Sequence, residues 1–80
     1  LDADSFELYP NPAAEMFFVE GRQMQGIQIM NFAGQVVYEL DNISDDRLPI
    51  DASGFAPGVY AVRIILSDSR SVVKRIVIGR

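Results

Sequence analysis

Gly58-Val59-Tyr60-Ala61-Val62-Arg63-Ile64-Ile65-Leu66 is the stretch that decides the fold. Tyr60, Val62, Ile64 and Leu66 recur at every second position, with Ala61 and Arg63 between them. A period of two places the first set on one face of an extended chain and the second set on the other, which is the pattern of a strand with one buried face. Moving toward the C-terminus, Ser67 to Arg70 is a tight polar turn, and Ser71 to Ile78 is a second long strand. Moving toward the N-terminus, Asp51 to Pro57 contains Gly54 and Pro57 and reads as a structured turn, preceded by a short edge-like strand, Leu48-Pro49-Ile50.

Further upstream, Asp41 to Asp46 is an acidic loop. Val36, Tyr38 and Leu40 alternate with Val37 and Glu39, and Ile27-Gln28-Ile29-Met30 alternates with Ile27 and Ile29 inward. Between them Asn31-Phe32-Ala33-Gly34 turns the chain, with Gly34 free to take positive φ, so the two runs form a β-hairpin. Arg22 to Gly26 reads as a polar link. Met16 to Val19 and Phe6 to Tyr9 are the remaining apolar runs, the latter stopped by Pro10-Asn11-Pro12, whose prolines donate no ladder hydrogen bond and mark a turn or an edge. No segment supports a helix; Pro12-Ala13-Ala14-Glu15 would make one turn at most. About seven short strands with regular turn signals predict an all-β, immunoglobulin-like antiparallel β-sandwich. Ile27, Ile29, Tyr60, Val62 and Ile64 are its expected core, and the Tyr60 hydroxyl is expected to find a backbone partner.

Eighty residues make one domain, 1–80, and with no cysteine to staple it the 49 % hydrophobic content must hold it together. No stretch approaches the ~20 apolar residues that span a bilayer; the greasiest segment is interrupted by Arg63. Residue 1 is leucine and no signal peptide is present, so the chain reads as a piece of a longer precursor. A net charge of −4 argues against a nucleic-acid partner. The charge is uneven: residues 63–80 carry +4 and residues 1–62 carry −8. Either the basic last strand pairs with acidic neighbours, or it meets an anionic partner.

Catalytic chemistry finds little to work with. With no histidine and no cysteine, His-based triads and Cys nucleophiles are excluded, and no enzyme activity or cofactor is expected. Asp41, Asp45, Asp46 and Asp51 read as a solvated acidic region rather than a general acid–base pair. Asp2-Ala3-Asp4-Ser5 resembles the start of a calcium loop, but Glu7 and Ala13 stand where that loop needs glycine and glutamate. Asn42-Ile43-Ser44 matches a glycosylation sequon, a pattern common by chance. A sugar-binding platform would expose flat rings; this chain has no tryptophan, and most of its tyrosines and phenylalanines stand in apolar strand positions.

Four segments, in order, resemble the type IX secretion C-terminal sorting domain of Bacteroidetes (the Por secretion family). Leu8-Tyr9-Pro10-Asn11-Pro12-Ala13 is similar to its opening Tyr-Pro-Asn-Pro motif. Ile27 to Val37 resembles the family hairpin, with Gly34 in the turn. Ile50-Asp51 through Phe55-Ala56-Pro57-Gly58-Val59-Tyr60 resembles its Leu-x-x-Gly-x-Tyr stretch, with Phe55 where leucine is usual. Lys74-Arg75-Ile76-Val77-Ile78-Gly79-Arg80 resembles its basic-then-aliphatic ending, which Gly79 interrupts. Tyr9, Pro10, Asn11, Pro12, Gly34, Gly58 and Tyr60 are thereby expected to maintain the fold, with the two prolines capping an edge and the two glycines standing where the chain reverses or approaches closely.

The resemblance implies a secretion and sorting signal carried by a cargo protein. That cargo would pass through the periplasm and reach the outer-membrane surface or the extracellular space. Implied partners are an outer-membrane translocon, a shuttle and a sortase-like peptidase, with anionic lipopolysaccharide as an anchor. The residues expected to be recognised are Lys74, Arg75, Ile76, Val77, Ile78 and Arg80, where cations adjoin an aliphatic strand able to dock on a partner's sheet edge. The competing expectation is that this strand only completes the sheet. Two other classes stay open: an uncleaved structural or lipopolysaccharide-binding domain of a surface or machinery protein, and a carbohydrate-binding adhesion module.

Overall fold

The computed structural model describes residues 6–79. Seven strands follow one another: β1 (Glu7–Tyr9), β2 (Met16–Glu20), β3 (Met24–Met30), β4 (Val36–Leu40), β5 (Arg47–Asp51), β6 (Gly58–Leu66) and β7 (Ser71–Ile78). They form two antiparallel sheets, β1-β2-β5 and β4-β3-β6-β7, packed as a sandwich. An immunoglobulin constant domain places its fourth strand with the first, second and fifth; here β4 stays beside β3, its hairpin partner.

Alternation accounts for the core. Along β6, Tyr60, Val62, Ile64 and Leu66 are buried while Arg63 is exposed. Ile27 and Ile29 of β3 and Ile76 and Ile78 of β7 face the same interior. The other sheet contributes Leu8, Phe17, Val19 and Ile50. All five residues expected in the core are buried, and no polar or charged side chain is buried among the described residues. The Tyr60 hydroxyl donates to the Ala56 carbonyl at 2.6 Å, and its ring meets Phe55 with centroids 5.2 Å apart. A buried phenol without that acceptor would forfeit hydrogen bonds it makes in water.

One segment differs from its expected form. Of Arg22 to Gly26, read as a polar link, Met24 to Gly26 instead form the start of β3. Met24 is buried at 4 % exposure and pairs with Leu66, yet the next register pair is Gly26 with Ile65. A bulge at this point adds one residue and breaks the period that would have marked the strand.

Gly34 has φ of +84° in the β3–β4 turn and Gly58 has φ of +153° at the start of β6. Neither would bring a Cβ within 4 Å of another group. Both glycines are therefore needed for backbone conformation, and close approach plays no part.

Candidate functional site

The first proline-rich segment and the last strand, 64 residues apart in sequence, meet in the fold. β1 and β7 are edge strands of their respective sheets. Beyond β1 the chain passes through Pro10-Asn11-Pro12, where both X-Pro bonds are cis, and crosses to the outer edge of β7. There the Asn11 carboxamide behaves like a peptide group of an added strand: Nδ2 donates to the Arg75 carbonyl at 3.2 Å, and Oδ1 accepts from the Val77 N–H at 3.1 Å. Ala13 continues the pairing in parallel with β7. Its N–H donates to the Val77 carbonyl and its carbonyl accepts from the Gly79 N–H, both at 2.8 Å.

The free part of the β7 edge follows from this. In an antiparallel ladder a residue turns both its backbone groups to the same side. Val77 turns both away from β6, and so by period two do Val73 and Arg75. The Val73 N–H, the Val73 carbonyl and the Arg75 N–H have no hydrogen-bond partner among the described residues. The C-terminal half of β7 is thus covered by the chain itself, and the N-terminal half presents an open edge.

An open groove of about 660 Å³ adjoins that edge, lined by residues 6–9 and Asn11 on one side and by Val73, Lys74 and Arg75 on the other. Lys74 lies on the core-facing side of β7, in line with buried Ile76 and Ile78, and is half-buried at the rim. Arg75 lies on the opposite, solvent-facing side with exposed Val73. Tyr9 donates to the Glu20 carboxylate, which raises the phenol above its ordinary pKa. It belongs to a layer with Phe18 and Arg47, whose guanidinium carbon lies 4.2 Å from the Phe18 ring centroid.

The expectation that the basic C-terminal residues pair with acidic neighbours is met at Arg70 and not, among the described residues, at Arg63, Lys74 or Arg75. Among the described residues the one ion pair is Arg70 with Asp68, at 2.7 Å within the β6–β7 turn. The Arg70 backbone N–H, bonding the same carboxylate, is the chief cause that holds Asp68 below the usual carboxylate range. Among the described residues Lys74 and Arg75 have no carboxylate partner; the register sets Val62 and Ala61 opposite them on β6. Arg63, likewise unpaired, faces Gln28 and Val73.

The six residues expected to be recognised thus occupy different environments. Lys74 and Arg75 offer their charges on opposite faces. Val77 is half-buried and has its backbone occupied by Asn11 and Ala13. Ile76 and Ile78 are core residues at 0 % and 1 % exposure, and Arg80 lies outside the described residues, as does the calcium-like Asp2–Ser5 stretch. Sequence reasoning missed Asn11's contact with β7; no local pattern announces a side chain that bonds a strand so far along the chain. It also missed Phe32, which is 94 % exposed where the other phenylalanines are buried or half-buried.

A search among curated proteins finds no match. The model of the family described as secretion system C-terminal sorting domain matches residues 7–79, from the first residue of β1 to the glycine that bonds Ala13. The match spans every strand and both ends of the Asn11–β7 junction, and the chain belongs to the type IX secretion C-terminal sorting domain family.

Proposed function

We propose that this domain is the portable address of a larger secreted protein, and that the type IX machinery reads it at the open edge and charged flanks of β7. As a type IX sorting signal, it directs export toward the cell surface or the extracellular space. The observation that carries the finer reading is the pair Lys74 and Arg75, two cations without ion-pair partners among the described residues, beside an edge with free backbone groups. A sheet edge that serves only to complete a fold is normally blunted or paired. Here the blunting stops at Arg75, and the part left open is the part that carries the charge. A partner strand can bond the outward backbone groups of Ser71 and Val73 and the Arg75 N–H, and carboxylates meeting Lys74 and Arg75 add side-chain affinity and selectivity.

The test is a fusion of residues 1–80 to a periplasmic reporter in a type IX-competent strain, comparing Lys74→Glu, Arg75→Glu and the double variant. Circular dichroism establishes that each variant is folded. Export is expected to fall in the double variant, and the single variants show which face of β7 is read. A folded double variant exported at the wild-type level would refute recognition through these two residues.

A further inference from the structure

Phe32 is the most exposed large apolar side chain of the described residues, at 94 %, and it does not sit on a loose loop. Asn31 fixes the turn beneath it. Its Oδ1 accepts from the Ala33 N–H at 3.0 Å and from the Gln35 N–H at 2.9 Å, and its Nδ2 donates to the Gln35 side chain at 3.0 Å. Two backbone bonds, Asn31 N–H to the Gln35 carbonyl and Gly34 N–H to the Asn31 carbonyl, close the same turn at 2.9 Å each. The backbone under Phe32 is therefore already ordered, and binding through the ring adds little ordering cost.

The surroundings are of one kind. Of the six large exposed apolar residues among those described, Phe32, Val36, Val37, Val59 and Val73 lie on the four-stranded sheet or its hairpin turn. Phe32, Val59, Ala61 and Arg75 line a shallow groove of about 340 Å³ on that sheet. Arg75 and Arg63 face solvent on this side without ion-pair partners among the described residues, while the Glu39 carboxylate accepts from Gln28 Nε2 at 3.1 Å. An aromatic wall, a floor of small and branched side chains, and an uncommitted guanidinium at the far wall suit an apolar side chain next to a carboxylate.

We propose that this groove is a second contact site, taking an acidic, apolar segment of a partner protein with its apolar side chain against Phe32 and its carboxylate on Arg75. That the partner is a protein rests on the sorting-signal reading; the groove itself does not. The binding is read on the isotope-labelled chain by amide chemical shifts. The probes are acetyl-Asp-Leu-Asp-Phe-Asp, the same peptide with lysine for aspartate, and phosphatidylglycerol vesicles. The acidic peptide is expected to shift the amides of Phe32, Ala61 and Arg75 saturably, and the lysine peptide is not. Phe32→Ser is expected to weaken binding about tenfold or more, as loss of an aromatic anchor does, while Phe32→Leu retains most of it. Because Phe32 is exposed, both variants keep the wild-type melting temperature. The proposal fails if the acidic peptide gives no saturable shift at these amides, if the lysine peptide acts equally, or if Phe32→Ser binds as well as wild type. A Phe32-dependent response to the vesicles alone would assign the site to a lipid surface and overturn the proposal as well.

Discussion

Replacing Asn11 with alanine removes two hydrogen bonds that hold the N-terminal segment on β7: the one donated to the Arg75 carbonyl and the one accepted from the Val77 N–H. Each is worth about 0.5–1.5 kcal/mol net, and Asn11 is exposed, so water replaces part of both. The expected loss is about 1 kcal/mol, which in a domain of this size lowers Tm by about 4–8 °C. The local effect should exceed the global one. Hydrogen exchange at the Val77 N–H loses protection, because its acceptor is gone, while the Val62 and Ile64 amides in the middle of β6, whose protection is set by global unfolding, lose only what the global loss of about 1 kcal/mol implies. Asn11→Asp sharpens the reasoning. It keeps an acceptor for Val77 but sets a carboxylate oxygen against the Arg75 carbonyl, which raises the folded-state pKa of that group. The variant is therefore least stable relative to wild type at neutral pH and recovers as the pH falls through that raised value, where the protonated acid can donate. Thermal melts by circular dichroism and amide exchange by NMR read both variants. An Asn11→Ala protein with unchanged Tm and unchanged Val77 protection would show that Ala13 alone holds the segment.

Two further expectations concern the core. Tyr60→Phe removes the bond to the Ala56 carbonyl and should cost about 1 kcal/mol in a urea melt. Tyr60→Ala also removes the buried ring and should cost about 3–5 kcal/mol; a loss below about 1 kcal/mol would place Tyr60 outside the energetic core. Gly21→Ala should destabilise by about 1–3 kcal/mol, because its Cβ would stand 2.0 Å from a carbon of the buried Phe6 ring; an unchanged urea midpoint would mean that the ring moves aside freely.

The strands were legible because one buried face against one solvated face writes a period of two into the chain. Gly58–Leu66 and Val36–Leu40 were located with their observed bounds on that signal, and Ser71–Ile78 as the run that follows the Ser67–Arg70 turn. The signal failed at Met24–Gly26, where a bulge shifts the period. The candidate site was less legible, since it depends on what faces what. Charge counting identified Lys74 and Arg75 as unusual, but only the register shows Val62 and Ala61, neither of them an acid, opposite them. Residue type alone does not separate Phe32 from Phe17, but Phe32 stands in the Asn31–Gly34 turn and Phe17 in the apolar run Met16–Val19, and only Phe17 is turned inward.

Asn11 changes what the ending of the chain can mean. As a linear peptide, Lys74-Arg75-Ile76-Val77-Ile78 would present five side chains and every backbone group. In the fold, Ile76 and Ile78 are spent on the core, and Asn11 and Ala13 occupy the backbone of Val77. What stays accessible is short and specific: two cations on opposite faces, the outward backbone groups of Ser71 and Val73, and the Arg75 N–H. A partner that read this surface would distinguish the folded domain from the same residues unfolded, since only the folded domain hides the aliphatic half while displaying the basic half. The N-terminal Pro-Asn-Pro segment has a place in the same logic. It stops the free edge short of the hydrophobic end of β7, where an open strand would pair with any exposed strand it met.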